Sequence, residues 1–387
     1  MAIQRLTVHA GPHDRENCPV RVSLKPEQAD AGLLALRDAT TGILLPCQTV
    51  PGAQPDEMEL HFILPTLRAG AALTLVPEAR PALCGDRVIL TDVPGEKVDV
   101  SVDGEPFTSY VYAERFVRPF LLPIRGPFGD SVTRSYPVVP DLPGEKQDHP
   151  HHKSVWTAWG DVNGVDHWSE IKGHGWIAHR RFTRLDSGSA CATLTAVNDW
   201  LTPDRGARQL EEERTVRFYA LPAAGRAVDF TIRFRFTDGD VRFGDTKEGG
   251  ILSVRVASSM DASGDGVIQN SFGGTNEGET WGKRAHWCDY YGPVNGKRVG
   301  IGIFDHPENV RYPVYWHVRN YGLMTANPFG LSHFRGDKKW DGTKTFAAGS
   351  ELTFRYRLYI HADGTDKAGV AGKYHDFVNP PQVKVEG

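Results

Sequence analysis

The sequence lacks the features that define several large classes of protein. Its apolar runs stay well short of the roughly 18–20 residues that a membrane-spanning helix needs, and its first residues have no apolar core of the kind that a secretory signal requires. The 44 Lys and Arg are offset by 48 Asp and Glu, for a net charge of −4 with both signs interspersed, so no basic field exists to hold nucleic acid or anionic lipid. The sequence therefore predicts a cytoplasmic protein with neither a membrane nor a nucleic-acid partner.

Patterns for cysteine and nucleotide chemistry are also missing. The cysteines are odd in number and never spaced as Cys-x-x-Cys, which disfavours a disulfide framework and a cysteine zinc site. They are Cys18, Cys47, Cys84, Cys191 and Cys288. No Gly-x-Ser-x-Gly, Walker, Rossmann or His-Glu-x-x-His pattern occurs, so nucleotide-dependent chemistry in particular is disfavoured.

What the chain does contain is a long series of strand signals. Apolar and polar residues alternate in most segments, with Gly, Pro or Asp at the ends, and the 41 Gly and 26 Pro supply many turns. A helical period is confined to two short pieces, 27–36 and 367–378. The pattern predicts an all-β protein whose large antiparallel sheets pack face to face as a β-sandwich, and the super-sandwich of sugar mutarotases and related lyases is one form of it.

A boundary is indicated near 78–88, where two prolines and a glycine interrupt the alternation. Residues 1–80 would form a small β-sandwich appendage, and residues 86–387 would form one large body that carries the site. The length of 387 residues exceeds the usual size of a single domain and agrees with such a division.

The stretch DHPHHKSVWTAWGDVNGVDHWSE, residues 148–170, concentrates four of the 15 histidines. One interpretation makes His151 or His152 a general acid or base, with another histidine donating a hydrogen bond to a substrate oxygen. A second makes Asp148 and the histidines the anchors of a long loop. The sequence leaves both open.

A third interpretation is a divalent metal held by His149 and His151. Side chains two residues apart share a face of an extended segment, whereas His152 would point the other way. The third ligand would have to come from elsewhere, for instance Glu213, His179 or His286. This is the minority interpretation, and no other cofactor is expected.

Acid–base chemistry on a glycosidic bond needs a carboxyl group beside the histidine or a second carboxyl group. Glu213 lies in a strand that begins with three consecutive Glu, and Glu248 precedes a Gly pair that allows close backbone approach. Both are candidate catalytic partners of His151 and His152, although their spacing in sequence does not establish that they meet.

Flat aromatic rings beside amide, carboxylate and guanidinium groups suit a sugar, because its C–H face stacks on the ring and its hydroxyl groups bond to the polar side chains. Two His- and Trp-rich segments, 148–170 and 304–330, are predicted to converge on one such site. The candidate substrate-binding residues are Trp156, Asp161, Asn163, Trp168, His179, His317, Arg319 and Asn327.

Several stretches together resemble a bacterial family that is labelled "PmoA" and is a domain of unknown function of the DUF6807 type. They are RPFLLPIRGPFGDSVTR (118–134), DHPHHKSVWTAWGDVNGVDHW (148–168), GWIAH (175–179), KEGGILSVRV (247–256), DHPENVRYPVYWHVRNYGL (305–323) and NPFG (327–330). The resemblance covers most of 110–335 and implies a β-sandwich protein of carbohydrate utilisation. It does not imply the membrane subunit of methane monooxygenase, since no membrane-spanning run is present, and it supplies no catalytic roles. At position 167 this chain has His where the family motif has Phe, so His167 is not expected to be a general functional residue.

The sequence therefore predicts a carbohydrate-active enzyme, a glycoside hydrolase or lyase, that acts on a small sugar or glycoside. Two other classes stay open: a metal-dependent oxygenase and a non-catalytic sugar-binding protein. Assembly into a homo-oligomer is also left open.

Overall fold

The fold is described from a computed structural model for residues 3–28, 35–52, 56–78 and 85–387. These ranges contain 25 strands and three short α-helices, which confirms the prediction of an all-β protein. The helix predicted at 27–36 falls mainly outside the described residues, whereas the one predicted at 367–378 corresponds to the last helix. No helix of the described ranges has the length and apolarity to cross a membrane.

The elements follow one another in short strands and turns. The first nine strands are β1 Arg5–His9, β2 Arg15–Leu24, β3 Ala35–Asp38, β4 Leu44–Pro51, β5 Met58–Leu67, β6 Ala72–Glu78, β7 Val88–Val93, β8 Lys97–Val102 and β9 Glu105–Val111. The next nine are β10 Phe120–Leu121, β11 Val155–Trp159, β12 Trp176–Asp186, β13 Cys191–Leu201, β14 Arg208–Tyr219, β15 Gly225–Arg235, β16 Val241–Phe243, β17 Gly249–Arg255 and β18 Val267–Asn270. The remaining elements are α1 Asn276–Thr280, β19 Trp287–Val294, β20 Lys297–Asp305, β21 Tyr315–Val318, β22 Leu323–Asn327, α2 Leu331–Arg335, β23 Lys344–Phe346, β24 Glu351–Ala362, α3 Val370–Val378 and β25 Gln382–Glu386.

The N-terminal strands form a seven-stranded sheet in the order β2-β5-β4-β3-β6-β1-β25. β4 joins its two halves, because its first residues pair with β3 and its later residues pair with β5. Leu6 of β1 and Val20 of β2 belong to the same apolar cluster, so the sheet curls around one core. β25 pairs with β1, and residues 382–386, which the sequence analysis assigned to the body, therefore lie in this sheet.

Two eight-stranded antiparallel sheets form the body, and together they confirm the predicted large β-sandwich. Sheet I has the order β21-β22-β17-β11-β10-β9-β8-β7, and sheet II has the order β12-β13-β14-β15-β24-β20-β19-β18. Residues of both sheets meet in one large apolar cluster, for example Val254 of sheet I with Val216 and Leu358 of sheet II. Burial of this apolar surface is the main force that holds the two sheets together.

Alternation along the strands of sheet I gives it a core face and an outer face. In β17, Leu252 and Val254 point into the sandwich, so Ser253 and Arg255 lie on the outer face. In β11, Trp159 belongs to the core, whereas Trp156 belongs to a separate apolar cluster on the outer face. That outer face carries the candidate site.

A buried arginine ties the N-terminal sheet to the C-terminal helix. Arg15 of β2 donates to the carbonyl oxygen of Ala10 at 2.9 Å, to that of Asn379 at 2.8 Å and to the Asp376 carboxylate at 3.0 Å. The side chains of Arg15 and Asp376 are 1% and 2% exposed. A charge this deeply buried depends on its partner, since water cannot replace it.

We therefore predict that Asp376→Ala lowers the free energy of unfolding by about 3–5 kcal/mol, because it leaves the Arg15 guanidinium buried without a counter-charge. The matched control is Asp14→Ala, which breaks an ion pair of similar length with Arg68 (2.8 Å) whose side chains are 58% and 81% exposed. The control should cost less than about 1 kcal/mol. Urea denaturation of both variants measures the difference, and equal losses would contradict the prediction.

Candidate functional site

The two His- and Trp-rich segments meet on the outer face of sheet I. A row of cross-strand partners runs from Trp156 to Ser253, from Ser253 to Thr325 and from Thr325 to His317. Since neighbouring strands lie about 4.8 Å apart, His317 and Trp156 are roughly 14 Å apart along this row. The small side chains of Ser253 and Thr325 lie between them.

The loop that carries the histidines is held down by a fully buried arginine. Arg134 Nη1 donates to the carbonyl oxygens of Lys146 (3.1 Å) and Asp148 (2.7 Å) and to Asp148 Oδ1 (2.6 Å). Its Nη2 donates to the carbonyl oxygens of His149 (2.8 Å) and His152 (3.3 Å). The guanidinium thus fixes the backbone course from 146 to 152.

A second arginine sets the protonation of His152. Arg255 Nη1 donates to His152 Nδ1 at 3.2 Å, and its Nη2 donates to Asp148 Oδ1 at 2.7 Å. Because a guanidinium can only donate, His152 Nδ1 carries no proton and Nε2 does. Burial, together with the nearby His151 and Arg255, holds the pKa of His152 well below its usual value. His152 is therefore a neutral imidazole of fixed tautomer.

Asp148 remains ionised. Burial alone would raise its pKa, but the charge of Arg255, the hydrogen bond with His149 and the charge of Arg134 outweigh it and lower the pKa. His149 Nδ1 lies 3.3 Å from Asp148 Oδ1, and the two side chains are 40% and 39% exposed. A carboxylate thus orients an imidazole that is open to solvent.

Four aromatic rings stack in series beside this pair. Tyr321 lies over His149 (ring centroids 4.9 Å apart), His149 over His152 (4.8 Å), and His152 over Trp156 (5.2 Å), each within 20° of parallel. Arg255 covers Tyr321 at 4.9 Å from its ring centroid. His149 belongs to the segment 148–170 and Tyr321 to the segment 304–330, so the two segments are in direct contact.

Arg118 secures the other side of the histidine loop. It is buried and donates to the carbonyl oxygens of His151 (3.1 Å), His167 (2.9 Å) and Trp168 (2.8 Å). His151 is only partly buried, yet burial and the charge of Arg118 lower its pKa to about 3. His151 is thus neutral at physiological pH, and its ring meets that of His152 edge-on at 4.3 Å.

A buried lysine accompanies Arg118. Lys153 Nζ lies 2.5 Å from both carboxylate oxygens of Glu170, and Arg118 lies 3.3 Å from the same carboxylate. Burial lowers the pKa of Lys153 to about 8, although Glu170 opposes the shift. Lys153 and Glu170 neutralise each other beneath the loop.

His317 forms the far end of the row. It accepts a hydrogen bond on Nδ1 from the Trp281 indole at 2.9 Å, which places its proton on Nε2. Burial, with Lys247 and Arg319 nearby, lowers its pKa to about 3. Arg319 pairs with Glu277 at 2.9 Å and lies 5.5 Å from the Tyr321 ring centroid.

Glu213 does not meet the histidines. In β14, Glu212 and Val216 point into the sandwich, so Glu213 lies on the outer face of sheet II, where it pairs with Arg235 at 3.0 Å. The two sheets separate it from His151 and His152. The catalytic pairing suggested by the sequence is therefore one that this fold does not form.

The buried carboxylate of that strand is Glu212. It accepts hydrogen bonds from Arg214 (2.5 Å) and from the Trp200 indole (2.7 Å) between the sheets. Because side chains alternate between the two faces of a strand, Glu212 shares a face with apolar residues of β14. The sequence pattern therefore indicates that Glu212 is buried.

Asp161 and Asn163 lie in the turn after β11 and bind the chain itself. Both Asp161 oxygens lie 2.8 Å from Arg242 Nη2. Asn163 accepts from the Arg242 backbone N–H at 2.7 Å and donates to Gln209 at 3.0 Å. Here they fasten the turn to β16.

Three other predicted residues occupy distinct places. His179 lies on sheet II and contacts Tyr112 (4.6 Å between ring centroids) and Phe182 (4.3 Å). Asn327 is fully buried, and its amide binds backbone groups of 246–249 and 329–330. Glu248 is half-exposed, pairs with Lys247 at 2.7 Å, and is close enough to Tyr321 to influence its pKa.

The ligands needed for the metal interpretation are not assembled. The rings of His149 and His151 are 5.9 Å apart, but Glu213 and His179 lie on sheet II, and His286 binds the Tyr312 hydroxyl at 2.6 Å instead. Within the ranges that the structure describes, no three His, Cys, Asp or Glu side chains are grouped so as to hold a metal ion.

The sequence analysis missed the residues that organise the site, namely Arg118, Arg134, Arg255 and Tyr321. One signal was available for Arg255, since its place in the run ILSVRV puts a charge in a strand of buried residues. Arg118 and Arg134 lie in irregular segments, where no periodicity indicates that a side chain is buried.

Fold and site together define a large antiparallel β-sandwich protein with a polar, histidine-rich site on the outer face of one sheet. Residues 97–375 match the model of a family described as a family of unknown function (DUF6807), and the chain belongs to that family. Among proteins with curated descriptions, none matches the sequence.

Two solved structures have a limited likeness to the chain. One is a protein of glycosyl hydrolase family 38 from Enterococcus faecalis (TM-score 0.42, 11% identity), and the other is an α-mannosidase from E. faecalis V583 (TM-score 0.41, 10% identity). The matches cover 100% and 99% of this chain but 47% and 46% of those chains, so it spans about half their length. A likeness of this degree does not establish a shared function.

The depressed histidine pKa values predict a pH-dependent stability. The unfolded chain protonates His317 near pH 6.5, whereas the folded chain does so only near pH 3, so the unfolded state binds more protons between these values. Stability is full above pH 6.5 and falls as the pH drops through this window, by up to about 1.4 kcal/mol per pH unit for each such histidine. His317→Gln should flatten the slope of unfolding free energy against pH, measured by urea denaturation from pH 7 to 4. An unchanged slope would contradict this prediction.

Proposed function

We propose that the protein is a carbohydrate-active enzyme that cleaves or modifies a glycoside by acid–base chemistry, with His149 as the base and Asp148 as the residue that orients it. One observation carries the proposal: a solvent-exposed imidazole beside an ionised carboxylate, stacked between Tyr321 and His152. Among the histidines of the motif, His149 is the most exposed, which favours it over His151 and His152 as the group that meets a substrate.

The charges around Asp148 support this assignment of roles. Arg134 and Arg255 both bind Asp148 Oδ1, so the carboxylate keeps its charge and is a poor proton donor. It accepts a hydrogen bond from His149 Nδ1–H, so the proton stays on Nδ1 and Nε2 has a free lone pair. His149 Nε2 is then the atom that takes a proton from the substrate.

The neighbouring groups suit a sugar. Tyr321 brings a phenol beside His149, His151 is a neutral and partly exposed imidazole, and Arg319 and Glu248 flank Tyr321. Phenol, imidazole, guanidinium and carboxylate groups are the donors and acceptors that recognise sugar hydroxyl groups.

Elimination is favoured over hydrolysis. Hydrolysis of the common kind needs two carboxyl groups about 5–10 Å apart on either side of the glycosidic bond. Asp148 is committed to two arginines, Glu170 to Lys153 and Arg118, and Glu213 lies on the other sheet. An imidazole base instead suits the removal of a proton from a carbon beside a carbonyl group.

The substrate class that follows is a glycoside oxidised to a ketone at ring carbon 3. His149 Nε2 takes the proton from carbon 2, and the C–H electron pair forms a double bond to carbon 1. The bond from carbon 1 to the glycosidic oxygen breaks, and the departing oxygen takes a proton from the His149 imidazolium, either directly or through Tyr321, which gives up its proton and is reprotonated by the imidazolium. The products are an unsaturated keto sugar and a free alcohol, with no net oxidation or reduction.

The first test of the proposed function is a screen of glycosides and their 3-keto derivatives, followed by His149→Gln on the substrate that turns over. We expect kcat to fall by about 10²–10⁴-fold, the usual contribution of a general base. His9→Gln, an exposed histidine on β1, is the matched control and should keep full activity. Full activity in His149→Gln would refute the proposed role.

The other outcomes of the screen separate the alternative classes. Sugar binding without turnover of any glycoside would indicate a non-catalytic binding protein. One equivalent of bound iron or copper, together with oxygen consumption, would indicate an oxygenase.

Tyr321 offers a second test that separates chemistry from packing. Tyr321→Phe keeps the ring on His149 but removes the hydroxyl, so kcat should fall about tenfold or more while the melting temperature stays unchanged, if the phenol returns the proton. Tyr321→Ala removes the ring as well and should also lower the melting temperature. Equal kcat in Tyr321→Phe and the unmodified protein would remove the phenol from the mechanism.

A further inference from the structure

Two adjoining cavities lie away from the histidines, the first over β8 and β9 of sheet I and the second between β9 and the start of β15 in sheet II. The first has a volume of about 350 Å³ and the second about 450 Å³, and both are lined by Pro106 and Arg125. Each falls within the usual size range of small-molecule sites, about 300–1,000 Å³. Together they form a groove with Arg125 at its middle.

The first cavity is lined with hydroxyl groups and one ion pair. Its hydroxyl-bearing residues are Thr91, Ser101, Thr108 and Ser109. Asp99 accepts a hydrogen bond from Ser109 at 2.5 Å and pairs with Lys97 at 2.9 Å. Within the described ranges the Thr108 hydroxyl has no hydrogen-bond partner, although the residue is only 4% exposed.

The second cavity adds an exposed aromatic ring. Phe128 is 54% exposed in the turn Gly126–Gly129, which also provides Pro127 to the lining. Glu105 and Arg226 bring one charge of each sign. Lys297 Nζ lies 5.8 Å from the centroid of the Phe128 ring, and the ring lines the cavity.

The chemistry of the lining selects the class of ligand. Asp99 and Glu105 disfavour an anion such as phosphate, and Lys97, Arg125 and Arg226 disfavour a simple cation. A neutral molecule with many hydroxyl groups and a C–H face satisfies the hydroxyl groups, the ion pair and the exposed ring at once.

We infer that this groove binds a saccharide and is a second carbohydrate site, separate from the His149 site. The inference rests on the proposed function for the class of ligand. The segment 118–134 links the two places, since Arg118 and Arg134 hold the histidine loop while Arg125 and Phe128 line the groove. The groove thus retains a longer saccharide beside the sheet on which the shorter unit is processed.

The test is calorimetric titration of the full chain with linear neutral oligosaccharides of glucose, xylose, mannose and galactose. Phe128→Ala and Asp99→Asn should each weaken the binding of the oligosaccharide that binds best by tenfold or more. Phe272→Ala, which truncates another exposed phenylalanine (66% exposed) outside the groove, should bind as the unmodified protein does. Thr108→Val, nearly equal in shape, should keep the melting temperature and lose affinity.

The two proposals fail in distinguishable ways. His149→Gln should keep oligosaccharide affinity, whereas Phe128→Ala should keep the turnover of a small glycoside. The saccharide groove is refuted if no oligosaccharide binds, or if Phe128→Ala and Asp99→Asn bind like the unmodified protein. Loss of oligosaccharide binding in His149→Gln alone would place the ligand at the histidines and also overturn the second site.

Discussion

The structure of the candidate site depends on three guanidinium groups buried on the outer face of a sheet. Arg118, Arg134 and Arg255 each need acceptors for their Nη groups, because a buried cation without partners is costly. The partners are mainly backbone carbonyl oxygens of 146–152 and 167–168, together with the Asp148 carboxylate. These bonds hold His149 at a φ of 42°, a left-handed value that non-glycine residues adopt only when their surroundings require it.

The hydrogen bonds from these buried arginines also limit which reactions the histidine cluster can support. With Nδ1 of His152 occupied by Arg255, and with His151 set edge-on beside it, the three imidazoles of the loop do not converge on one point. They divide instead into a buried neutral ring, a partly exposed neutral ring and an exposed ring with a carboxylate behind it. This arrangement suits the transfer of a single proton by the exposed ring. The role of each imidazole follows from the donor or acceptor that binds it.

Much of the fold follows from alternation in the sequence, whereas the site follows from it only in part. The period of two predicts the sheets, and it puts Glu212 on the face of β14 opposite that of Glu213. It also places Trp156 and Trp159 on opposite faces, because they are three residues apart in β11. Alternation cannot reveal that Glu213 lies behind a second sheet, because that depends on which sheet each strand joins. Nor can it reveal Arg134, whose bonds go to carbonyl oxygens that every residue possesses.

The bonds of Arg134 also bear on how this site can be recognised in distant sequences. A lysine would preserve the charge, but its ammonium is a compact point and does not reproduce a planar fork that reaches carbonyl oxygens of four residues. Divergent chains that keep the histidines but exchange this arginine would therefore be expected to lose the loop conformation. The more dependable signature is the order of three buried arginines along the chain, with the histidines between the second and the third.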